Sequence, residues 1–251
     1  PDMILEDGET CSGKTFFANI ILDPTNSTLQ WEVLNANGVS GATAGTGSTF
    51  STTLINSTGS VKIVTFNVYP VSETGCVGEP QVLSITVFPE LIADAGPDFA
   101  SCPGAILELG GNPTASGGAG APYTILWSTG EDTPNITVTP TINSTYSVTV
   151  TDANGCEDVD DVIVSVSGVL TVSILPNPAV YCLSDLTGKT LSANVNSTNS
   201  PFTYKWTTPW GIFDTPTILI GATMAGTSQI TLQVTDAYGC QGIGTLNLVI
   251  N

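Results

Sequence analysis

Apolar and polar positions alternate with a period of two along much of this chain. In 145–151, Tyr146, Val148 and Val150 alternate with threonine and serine, which predicts a strand with one inward apolar face. An Asp-Ala-Asn-Gly turn and Cys156 end it. The phrase returns at 230–240 as Ile-Thr-Leu-Gln-Val-Thr-Asp-Ala-Tyr-Gly-Cys, and more loosely at 64–76, ending in Thr-Gly-Cys. Alignment on these endings puts Cys76, Cys156 and Cys240 in register, 80 and 84 residues apart. An earlier cysteine opens each unit, at Cys11, Cys102 and Cys182, and a tryptophan falls between, at Trp31, Trp127 and Trp206. The chain is therefore read as three repeats.

Short alternating runs separated by Gly, Pro, Asn and Asp predict the strands within each repeat. In the first they fall at 14–22, 28–35, 49–55, 60–69 and 81–88. In the second they fall at 105–110, 123–128, 135–139, 145–151 and 161–167. In the third they fall at 189–195, 202–207, 217–221, 228–235 and 244–250. Such spacing points to an all-β chain of three tandem immunoglobulin-like antiparallel sandwiches. Boundaries fall at 1–88, 89–167 and 168–251. The joints at Phe88-Pro89-Glu90 and Ser167-Gly168 are too short for flexible linkers, which predicts an extended rod.

Composition removes several function classes. The chain has no histidine and no arginine, only Lys14, Lys62, Lys189 and Lys205 as cations, and a net charge of −18. That charge repels phosphate backbones and disfavours nucleic acid and anionic lipid. Without histidine the usual catalytic triad and most catalytic zinc sites are out of reach, so no enzyme is expected. No run is long and apolar enough for a membrane span, so no direct membrane insertion is expected. Because the chain starts at Pro1, it is expected to be part of a longer protein.

Two cysteines per repeat, in a Thr/Ser/Asn-rich acidic chain, argue for structural disulfides in an oxidising compartment. Fifteen connectivities are open to six cysteines. The economical choice is one disulfide per repeat: Cys11–Cys76, Cys102–Cys156 and Cys182–Cys240. Each cysteine flanks a turn, so the bridge is expected to clip an opening segment to the last hairpin. A zinc site fails on spacing, since no Cys-x2-Cys pair exists.

Several strings in the second repeat resemble a known family. They are Ala93-Asp94-Ala95-Gly96-Pro97-Asp98, Ser101-Cys102-Pro103-Gly104, 109–118, Leu126-Trp127-Ser128-Thr129-Gly130 and 145–156. Together they resemble the PKD-like, immunoglobulin-fold repeats of very large surface proteins of Bacteroidota. Gliding-motility adhesins and other type IX secretion cargo are among those proteins. The likeness is closest over 92–166, looser over 169–250, and confined to Cys, Trp and Gly-Cys over 1–88. It implies a secreted protein at the bacterial cell surface, built of many β-sandwich repeats. The resemblance names no binding partner, since such repeats often serve as spacers; the partners expected are neighbouring repeats of the same protein, with surface polysaccharide or self-assembly as further ones.

Two sets of residues are candidate sites. Asp94, Asp98, Asp152, Asp158 and Asp160 offer oxygens for calcium, although no calcium-loop motif is present; the competing reading is a solvated acidic face with Asp152 capping its own turn. No other cofactor is expected. Trp210, which has no counterpart in the other repeats, with Tyr204 and Tyr238, is the candidate carbohydrate-binding set; the competing reading is an aromatic plug. Trp31, Trp127 and Trp206 are expected in the cores. A lysine–asparagine crosslink is not expected, because the lysines do not recur. The Asn-x-Ser/Thr sequons carry no weight. The leading function is a non-catalytic adhesin, stalk or filament array; the alternative is a carbohydrate-binding accessory region of a secreted polysaccharide-degrading enzyme.

Overall fold

All 251 residues are described by the computed structural model, with 53% of the chain in strand and 1% in helix. The fold is all-β and immunoglobulin-like. By contacts the chain divides into two compact units. One comprises 1–96, 109–136 and 146–161; the other comprises 97–108, 137–145 and 162–251.

The first unit contains a five-stranded sheet ordered Gly8–Cys11, Gln81–Phe88, Lys62–Val71, Thr28–Asn35, Gly45–Gly47. Its inward residues follow the period-two pattern. Val64, Phe66 and Val68 on one strand and Leu83, Ile85 and Val87 on the next are fully buried. Each such side chain contributes about 1.5–3 kcal/mol of gross burial. Two short antiparallel pairs, Asp2–Leu5 with Ile20–Asp23 and Thr15–Phe17 with Ser51–Thr53, set Met3, Phe16 and Leu22 against that core. Trp31, Phe50 and Phe66 meet edge to face, with centroids 5.1 and 5.0 Å apart. This unit also holds Leu91–Ala93 paired with Ala115–Gly117, and Thr124–Trp127 paired with 148–151.

The second unit repeats the plan. A five-stranded sheet runs Ala179–Tyr181, Gln241–Ile250, Gly226–Thr235, Thr203–Thr208, Gly211–Phe213, beside a three-stranded sheet of Thr171–Leu175, Thr190–Asn196 and Thr217–Leu219. Trp206, Ile230, Leu232, Val234 and Leu248 are fully buried in its core with Leu191. The indole N–H groups of Trp206 and, in the first unit, Trp127 and Trp31 each donate to the carbonyl of a following threonine: Thr215, Thr133 and Thr43. Burial of the ring without that acceptor would strand a donor.

The long predicted strands stand close to where the alternation puts them. Observed strands include Thr28–Asn35, Lys62–Val71, Gln81–Phe88, Ser144–Thr151, Gly226–Thr235 and Gln241–Ile250. Six short strands have no counterpart in the predicted set, Asp2–Leu5, Gly45–Gly47, Leu91–Ala93, Ala115–Gly117, Thr171–Leu175 and Gly211–Phe213, and two further features differ. The predicted strand at 14–22 is two strands, Thr15–Phe17 and Ile20–Asp23. A strand unseen in the pattern also precedes each early cysteine or ends on it. These strands run parallel to the last strand of their repeat, with Cys11 opposite Phe88, Ser101 opposite Val166 and Tyr181 opposite Ile250. They are three or four residues long, too short to show a period.

Candidate functional site

Each late cysteine sits at the end of one recurring turn. In the second repeat the Asp152 N–H donates to the Cys156 carbonyl (3.0 Å), and the Gly155 N–H donates to the Asp152 carbonyl (3.0 Å). Asp152 Oδ1 accepts the N–H groups of Asn154 (2.9 Å) and Cys156 (3.0 Å). Asp236 builds the same turn, accepting from Tyr238 and Cys240 at 2.9 Å each. In the first repeat Ser72 does this work, its Oγ accepting the Cys76 N–H at 3.0 Å. Gly75, Gly155 and Gly239 hold φ near +80° (82°, 77° and 81°), where a Cβ is strained.

What those cysteines bond to overturns the expected pairing. The disulfides are Cys11–Cys156 and Cys102–Cys240, while Cys76 and Cys182 are free and exposed. No repeat is closed on itself. The strand-end cysteine of one repeat bonds the turn cysteine of the next, first to second within one unit and second to third within the other. The expected clip of an opening segment to a last hairpin is present, but the two belong to successive repeats. The enclosed loops span 145 and 138 residues rather than 50–70. In the chain-entropy treatment each contributes about 5 kcal/mol taken singly. Around Cys240 the Ser167 Oγ lies 3.0 Å from Sγ, and both residues are buried.

Each acidic candidate accepts at least one backbone amide. Asp152 Oδ2 accepts the Ala119 N–H (2.7 Å), Asp94 Oδ1 that of Gly96 (2.8 Å), and Asp98 Oδ1 that of Ile163 (2.8 Å). Asp158 and Asp160, alternate residues of strand Glu157–Val166, accept from Ala93 and Ala95 at 2.8 Å each. No three His, Cys, Asp or Glu residues are gathered as a metal site would need. The second position after the turn cysteine has a shared task, and in the second and third repeats the fourth position joins it. In the third repeat they are Gly242 and Gly244, where a Cβ would lie 2.7 Å from the Leu170 carbonyl oxygen and 2.9 Å from that of Val172. In the first, Gly78 lies against Pro1 in the same way. Glycine thus lets the opening segment lie directly on the last strand, and in the second repeat two aspartates bridge to it instead.

Residues 8–91 match the PKD-like domain family. The matched stretch begins at strand Gly8–Cys11 and runs just past strand Gln81–Phe88, so it takes in the whole first five-stranded sheet. It falls on the repeat that retains least of the second repeat's strings. No curated protein sequence matches the chain. Among solved structures, the N-terminal eight Ig domains of Down Syndrome Cell Adhesion Molecule isoform 1.30.30 align over the whole chain at 14% identity and TM-score 0.41. This chain spans 36% of that one. The titin I-band fragment I67-I69 aligns over 99% of this chain and 98% of its own, at 11% identity and TM-score 0.36.

The aromatic candidates do not converge. Tyr204 lies near the start of strand Thr203–Thr208 and Trp210 in the hairpin turn beyond its far end, with the four residues from Tyr204 to Thr208 alone spanning roughly 13 Å at about 3.3 Å per residue. Tyr238 belongs with the Tyr204 end, in the Asp236 turn, and is half exposed. Trp210 packs against the core of its sheet, its ring against Gly221 and its Nε1 buried without a hydrogen-bond partner. The three therefore form no single sugar platform.

Asn56 was hidden in the sequence. It is fully buried, and its Nδ2 donates to the carbonyls of Ser60 (2.9 Å) and Val87 (2.8 Å). Its Oδ1 accepts from Thr58, and its carbonyl accepts the Glu90 N–H at the joint. Asparagine in an Asn-Ser-Thr loop of a chain rich in all three carries no signal of this.

Proposed function

We propose that this chain is a non-catalytic segment of a large secreted surface protein, an extended array of immunoglobulin-like repeats serving in an adhesin, stalk or filament. The observation that carries the reading is the inter-repeat pairing of cysteines. A covalent bond placed across each joint holds successive repeats to one another, which serves a chain that must keep its length outside the cell. Two disulfides fit an oxidising, extracellular setting. The short joints favour a rod, and the charge of −18 keeps neighbouring rods apart. A bacterial surface, gliding motility and type IX secretion follow from the family resemblance alone.

Protease shaving of intact cells that make the protein tests this. The expected result is release of peptides joined by the Cys11–Cys156 bond, without cell lysis. Recovery of the chain only from the cytoplasm, with all six thiols reduced, would sink the reading.

A further inference from the structure

We infer that Cys76 and Cys182 are the two unfilled halves of the same inter-repeat disulfide, and that each takes the complementary cysteine of another repeat of this build. The inference rests on the pairing geometry and stands apart from the surface-protein reading.

Pairing inside each repeat would leave no cysteine over. Pairing each strand-end cysteine with the next repeat's turn cysteine leaves one of each kind, and the free residues are a turn cysteine and a strand-end cysteine. Cys76 ends a turn with the hydrogen bonds and positive-φ glycine found at Cys156 and Cys240. Cys182 follows the parallel strand Ala179–Tyr181, as Cys102 follows Phe99–Ser101. The Asn251 N–H donates to the Tyr181 carbonyl, as the Ser167 N–H does to that of Ser101, so the platform that carries the Cys102 bond is repeated beneath Cys182. Their surroundings differ from the bonded sites in one respect. Val77 and Leu183, which follow the free cysteines, are exposed apolar residues (58% and 43%). The bonded cysteines are followed by Ser12, Pro103, Glu157 and Gln241.

The step is thiol–disulfide exchange with a small disulfide such as oxidised glutathione. One protein thiolate attacks it and releases one glutathione thiol, and the complementary thiolate then attacks the protein sulfur and releases the second. Two protein thiols are oxidised, one small disulfide is reduced, and both protons pass to the leaving thiols.

The test incubates the folded chain, its two disulfides intact, with oxidised glutathione, followed by non-reducing electrophoresis and peptide mapping. A parallel arm uses the chain extended after Asn251 by a second copy of 168–251, whose turn cysteine stands where the next repeat's would. Cys182–Cys76 links between copies, lost in both C76S and C182S, support the inference with a second copy as partner. Monomeric chain together with a bond from Cys182 to the added turn cysteine supports it with an in-line repeat as partner. Symmetric Cys76–Cys76 or Cys182–Cys182 links would overturn it. So would thiols that stay free to alkylation in both arms.

Discussion

Single residues here do work that the sequence pattern does not advertise. Asn56 satisfies two carbonyls and holds its own loop through Thr58. Asn56→Ala strands those buried groups and is expected to cost about 2–4 kcal/mol in denaturant unfolding. Asn56→Asp, which sets a carboxylate against the Ser60 and Val87 carbonyls, should cost no less. A second residue-scale expectation concerns the exposed face. Glu32 Oε1 accepts from the Tyr69 hydroxyl (2.6 Å) and Asn67 Nδ2 (3.2 Å). The Tyr69 hydrogen bond, then that of Asn67, holds the Glu32 carboxyl below its usual range, and the Glu32 bond holds the Tyr69 phenol above its own. The Glu32 contribution is present above the unfolded carboxyl pKa and fades as pH falls through the lower folded value. The Tyr69 contribution is present below the unfolded phenol pKa and fades as pH rises through the higher folded one. Ultraviolet titration should show Tyr69 ionising late, and Glu32→Gln should move it back toward the ordinary range.

The long strands were legible because burial on one face forces strict alternation, as at Ile230, Leu232 and Val234. The parallel opening strands were not, since their hydrogen bonds are made to a strand 65–77 residues away and leave no local period. The acidic run at 157–161 was not legible in full for a related reason: composition shows charge but not what the charge accepts. Asp158 and Asp160 take the place of the glycines that serve the third repeat. Gly244→Ala is therefore expected to destabilise by about 1–3 kcal/mol, since the methyl meets backbone that cannot swing away. Differential scanning of that variant checks it. Because the five aspartates accept separate backbone amides and are not gathered into one cluster, millimolar calcium is expected to leave the unfolding midpoint where it was; a rise would favour the calcium site instead.

At the scale of the whole molecule, cysteine count and placement were legible, but partner choice was not. Early and late positions in each repeat are compatible with closure inside a repeat or across a joint. Only the arrangement of strand end and turn in space separates the two. Loss of both bonds is expected to lower the thermal midpoint, with the largest effect on opening of the joints, and scanning with and without reductant measures it. The crossed pairing also limits how far the chain can be drawn out. From Pro1 the shortest covalent route reaches Cys11, steps to Cys156, runs backward to Cys102, steps to Cys240 and continues to Asn251. That is about 75 residues of chain, or roughly 260 Å at full stretch, against roughly 880 Å for the reduced chain. Under load the middle segment would be pulled in the direction opposite to its neighbours. Single-molecule stretching, repeated with reductant, should show the released length rise by more than about threefold when the bonds are cut.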